Sequence, residues 1–65
     1  MKIIVNGAER EIAAATMADA LDQLDYGEAV VATALNSHFV PVSARSSTLL
    51  ADGDEIEVVA PMQGG

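Results

Sequence analysis

Lys2-Ile3-Ile4-Val5 opens the chain with a β-branched run, and Asn6-Gly7 follows it directly. That dipeptide most readily supplies the two positive-φ residues of a type I′ turn, so the pattern predicts a hairpin. The second strand should return through Glu9 to Ile12, with Glu9 and Glu11 alternating with Arg10 and Ile12. Such a charged face suits a sheet edge exposed to water. Thr16 then stands three residues before Asp19, a variant of the capping box that opens helices. Met17, Ala20, Leu21 and Leu24 recur at three- and four-residue steps as one apolar stripe, so a helix of about two to three turns is expected. Gly27 is placed to end it in a left-handed cap. A helix this short is marginal alone and must be held by the sheet it covers.

Val30 to Asn36 carries no charge, which predicts a central strand with neighbours on both sides. Asn36-Ser37 can turn the chain, and His38-Phe39-Val40 reads as a short strand that Pro41 confines to an edge or ends. Ser43 to Ser47 is a small, polar connection suited to a short helical turn, and Asp52-Gly53-Asp54 is a turn signal. Glu55-Ile56-Glu57-Val58 alternates, with Ile56 and Val58 toward the core, and Val59-Ala60 extends that strand to Pro61. The first and last strands, separated by a helical crossover, are expected to pair in parallel. The fold class is α+β, a mixed sheet of four to five strands wrapped around one helix in the β-grasp (ubiquitin-like) arrangement. Residues 1–61 form the domain and residues 62–65 a flexible C-terminal tail.

Composition narrows the function. The 65 residues are 51% apolar and hold ten carboxylates against three basic side chains, for a net charge of -7, with no cysteine. A chain of this size buries only about 60% of its unfolded surface, so one thin core and no second lobe are expected, and a self-contained enzyme is not. Stability must come from packing without disulfides, which points to a cytoplasmic setting. Lys2, Arg10 and Arg45 are scattered, whereas nucleic-acid binding needs clustered cations. No apolar run approaches the roughly 18 residues of a spanning helix, so no membrane is implicated. His38 is the sole imidazole and leaves a metal site short of ligands. The carboxylates read as a solvated face, and no catalytic residues are assigned.

The chemical feature is the end of the sequence, Gly64-Gly65. Without Cβ atoms, these residues could pass through a channel too narrow for other side chains. Four residues past Pro61 extend at most about 13–14 Å, enough to carry a carboxylate from the domain surface into a partner's active site. A free carboxylate is a poor acyl donor. Transfer to the α-phosphorus of ATP makes it an acyl adenylate, chemistry that needs phosphate clamps and a metal in another protein. The activated carbonyl could then be attacked by sulfur, leaving a thiocarboxylate, or by an amine, leaving an amide.

Ala34-Leu35-Asn36, Phe39-Val40-Pro41 with Ser43, the run Leu50-Ala51-Asp52-Gly53-Asp54-Glu55-Ile56-Glu57-Val58-Val59 and the close Pro61-Met62-Gln63-Gly64-Gly65 resemble the ThiS family of sulfur carriers in thiamine biosynthesis. The leading Lys2 to Gly7 also fits, so the resemblance covers nearly the whole chain. It implies a ubiquitin-like carrier whose Gly65 carboxylate is adenylated by an E1-like adenylyltransferase (ThiF-like), with ATP used by that partner and no cofactor bound by the chain itself. Sulfur supplied by a donor such as a cysteine desulfurase would convert it to a thiocarboxylate, and thiazole synthase (ThiG-like) would accept the sulfur. Gly65 bears the sulfur in this reading and Gly64 is its slender neighbour. Val42 departs from the pattern, since many relatives carry Arg between the Pro and the Ser, and any contact of that Arg is not carried over.

Apolar residues that alternate away from the helix have no internal partner, and such a patch usually marks an interface. Ile4 and Val59, with Phe39 and Met62 alongside, are the expected partner-binding surface of a chain that is a monomer when free. Two other readings remain open: a carrier for another pathway, like the molybdopterin synthase small subunit, or a ubiquitin-like modifier or binding module without sulfur chemistry. Molybdopterin-synthase subunits are usually longer and carry more bulky aromatics before the tail.

Overall fold

The computed structural model describes residues 1–27 and 29–60. The predicted hairpin is β1, Lys2–Val5, and β2, Ala8–Glu11, paired antiparallel from Lys2↔Glu11 to Val5↔Ala8. Asn6 at φ 50 and Gly7 at φ 85 make the tight turn. Thr16 caps helix α1, Met17–Gln23, through its hydroxyl oxygen, which accepts a hydrogen bond from the Asp19 amide at 3.2 Å. The helix does not run on to Gly27. Leu24 leaves helical geometry and Asp25, at φ 68, takes the left-handed position. The Asp25 amide donates to the Asp22 carbonyl at 3.2 Å and the Tyr26 amide to the Leu21 carbonyl at 2.8 Å, the paired bonds of a Schellman ending.

The uncharged stretch predicted as the central strand forms only β3, Ala32–Leu35, with Val30 79% exposed ahead of it. Asn36 and Ser37, both at positive φ, turn the chain into β4, His38–Val40. A 3₁₀ helix over Val42–Ser47 precedes β5, Glu55–Val59. Among the described residues the sheet has five strands in the order β2-β1-β5-β3-β4. β3 has neighbours on both sides as expected, β5 and β4, while the middle strand is β5, which pairs parallel with β1 at Ile4↔Glu55 and antiparallel with β3 from Ala32↔Val59 to Leu35↔Ile56. Its length and flanking turn signals did not reveal that position, because a strand's place in the order is fixed by partners distant in sequence.

One face of this sheet is covered by α1, giving the β-grasp arrangement. Ile3, Val5, Ile56 and Val58 meet Met17, Ala20, Leu21 and Leu24 in a buried core. At roughly 1.5–3 kcal/mol for each large side chain fully removed from water, this contact holds a helix that could not stand alone. Thr33 is the one buried polar residue among those described. Its hydroxyl donates to the Val40 carbonyl at 2.9 Å and accepts from Arg45 Nε at 3.1 Å, while Arg45 Nη2 donates to the Val31 carbonyl at 2.6 Å. Arg45 thereby ties the 3₁₀ helix to β3. No helix among the described residues is long and apolar enough to cross a membrane.

Candidate functional site

Gly64, Gly65 and Met62 lie outside the described residues, so the site that can be built is the surface from which they depart. Strand alternation settles its composition. With Ile3, Val5, Thr33, Val40, Ile56 and Val58 buried against the helix, the intervening positions turn to the sheet's other, uncovered face. These are Ile4 on β1, Glu9 and Glu11 on β2, Ala32 and Ala34 on β3, Phe39 on β4, and Glu55, Glu57 and Val59 on β5.

Pairing register divides that face in two. Phe39, 71% exposed, is opposite Ala34, and Val59, 61% exposed, is opposite Ala32. Phe39, Ala34, Ala32 and Val59 thus form a continuous apolar strip at the end where the chain leaves β5. Ile4 belongs to another neighbourhood. It is half-buried and sits opposite Glu55 on one side and Glu9 on the other. Glu57 lies between Glu55 and Val59, and the four steps from Glu55 to Val59 span about 13 Å of strand. Ile4 and Val59 therefore share a face without sharing a patch. Sequence alternation assigns the face correctly and cannot supply the register that separates them.

Two structural features lie beyond the pattern of any one segment. The Asn6 side chain reaches β5, where its Oδ1 accepts from the Val58 amide at 2.9 Å and its Nδ2 donates to the Val58 carbonyl at 3.1 Å. Asn36, in the other tight turn, reaches the start of that strand with one backbone and one side-chain partner: its Oδ1 accepts from the Glu55 amide at 3.0 Å and its Nδ2 donates to Asp54 Oδ1 at 3.1 Å. The available signal was that each turn opens with Asn. A groove of about 210 Å³ lies between α1 and the 3₁₀ helix, lined in part by Leu21, Tyr26, Val42 and Arg45, residues that no single segment's periodicity groups together. His38 is exposed on β4, and the described residues hold no cluster of His, Cys, Asp or Glu able to bind a metal ion.

Comparison with known proteins agrees with this geometry. The ThiS family model matches residues 3–65. The crystal structure of the thiamine biosynthesis protein ThiS from Geobacter metallireducens is similar over 100% of both chains, with a TM-score of 0.84 at 29% identity. A thiazole synthase of Paramagnetospirillum magneticum is 36% identical over 66 residues, covering 100% of this chain and 20% of that protein. The chain therefore spans about a fifth of the length of this curated relative.

Proposed function

The chain belongs to the ThiS family, and on that premise we propose that it is a sulfur carrier of thiamine biosynthesis, acting in the cytoplasm as a co-substrate and not as an enzyme. The Gly65 carboxylate attacks the α-phosphorus of ATP in the active site of an E1-like partner, and pyrophosphate leaves. Attack on the acyl adenylate by a sulfur nucleophile, supplied through a donor such as a cysteine desulfurase, expels AMP and leaves sulfur on the Gly65 carbonyl. The thiocarboxylate then donates sulfur to thiazole synthase. ATP is held by the activating partner. What this chain contributes is a recognisable surface and a terminus slender enough to enter that active site, with Gly64 free of any Cβ that would catch on its walls.

The observation that carries this reading is the family match running through residue 65, which includes the two glycines. The named thiazole synthase supports the final acceptor, because a segment similar to this whole chain occurs within a protein of that name. A carrier and the enzyme it supplies gain effective concentration when they share a polypeptide.

Intact mass tests the proposal. Incubated with ATP, a cognate E1-like enzyme and a sulfur source, the chain should exchange one terminal oxygen for sulfur, and deletion of Gly65 should abolish the exchange. Unchanged mass with active partners would overturn it, and attachment to target lysines would identify a modifier instead.

A further inference from the structure

The strand that leads to the terminus is held by a side chain posing as backbone. In the β1–β5 ladder the Ile4 amide donates to the Asp54 carbonyl at 2.9 Å and the Asn6 amide to the Ile56 carbonyl at 3.0 Å. The next rung would fall on Val58, but β1 has already turned away at Asn6-Gly7. A primary amide offers the same acceptor and donor as a peptide group. The Asn6 side chain uses both, closing on the amide and the carbonyl of Val58. It acts as one more residue of β1. Val58 is 8% exposed, so without Asn6 its two polar groups would lose their partner at a site that water reaches poorly.

We propose that Asn6 is a positioning residue that fixes the root of the C-terminal segment, and so the direction in which it leaves the domain toward the activating enzyme; this rests on the carrier function proposed above. Val59 follows Val58 and is paired only on its other side, with Ala32. Losing the Asn6 tether leaves the end of β5 held from β3 alone. The strand end is then free to pivot about that remaining edge, so the point from which the C-terminal segment departs is less well fixed. Delivery of a reacting carboxylate depends steeply on such alignment, since a misplacement of about 1 Å can cost on the order of a hundredfold in rate.

The test compares two glycine variants. Asn6 and Asn36 both occupy left-handed positions, at φ 50 and φ 49, which glycine adopts without strain. Asn6→Gly and Asn36→Gly therefore keep their turns and remove one β5 clamp each, the first beside the exit and the second at the far end. Two readouts are taken: exchange of the Val58 amide in the free chain, and kcat and KM for the chain in ATP-dependent activation by an E1-like enzyme. Asn6→Gly should speed Val58 exchange by about tenfold or more and lower kcat roughly three- to tenfold, with KM within about twofold. Asn36→Gly should leave kcat near the wild-type value. Equal kcat for Asn6→Gly and wild type, the same loss in both variants, or a change confined to KM would overturn the positioning role. A wild-type chain that active E1-like enzymes do not adenylate would overturn the carrier function and this role with it. Faster Val58 exchange with normal kcat would overturn only the positioning role.

Discussion

Asp25 shows how a single residue ends the helix against its own conformational preference. It holds the left-handed position of the Schellman ending at φ 68, where a side chain bearing Cβ is disfavoured and glycine is not. Its carboxylate also stands at the helix C-terminus, where the backbone dipole is already negative. Asp25→Gly removes both penalties and should stabilise the domain by about 0.5–1 kcal/mol, read as a higher urea midpoint at unchanged slope. Asp25→Asn removes the charge alone and should recover part of that gain. A midpoint below wild type in both variants would contradict this account. Gly27, the residue the sequence nominates for the cap, serves a different contact: a Cβ there would collide with the end of the Asp22 side chain.

At the scale of elements, the end of β5 brings fold and function together. Val58 faces the core and Val59 the open side, 61% exposed, so a charge at Val59 should leave packing intact while spoiling an apolar contact. Val59→Asp is expected to retain the circular-dichroism spectrum and thermal midpoint of wild type. Its KM in activation by an E1-like enzyme should rise on the order of tenfold, as for loss of a moderate interface contact. Normal KM would remove Val59 from the docking surface. Ile4→Asp probes the same face outside that strip, because Ile4 is half-buried and lies between Glu9 and Glu55. What the sequence makes legible here is local: the Asn6-Gly7 turn, the Thr16 cap, and the alternation of Glu55 to Val58 each appear as expected. The central place of β5, the split between Ile4 and Val59, and the Asn6 and Asn36 clamps depend on register between strands up to fifty-two residues apart. No periodicity within one segment encodes that information.

Over the whole molecule, the net charge of -7 is not spread neutrally around the apolar strip. Glu9, Glu11, Glu55 and Glu57 are all exposed on the uncovered sheet face; Lys2, 3.9 Å from Glu9, is the only basic side chain among the described residues of that face, and the Met1 ammonium pairs with Glu11 at 3.0 Å. A contact between Lys2 and Glu9, both well exposed, contributes little to stability, so the carboxylates remain available as a field. An apolar strip bordered by negative charge complements a partner whose own apolar patch is rimmed by Lys or Arg. Such complementarity acts mainly on the rate of encounter, because the charges steer approach before the surfaces touch and remain largely hydrated afterward. Association with the activating enzyme should therefore slow by about tenfold or more as salt rises from roughly 0.05 to 0.5 M, over which the screening length falls severalfold. Dissociation, which the proposed apolar contacts of Phe39 and Val59 would govern, should change far less. Glu55→Gln with Glu57→Gln should flatten the salt dependence while leaving the dissociation rate near wild type. Stopped-flow association rates indifferent to ionic strength would remove steering from the mechanism and leave the apolar strip as the whole of recognition.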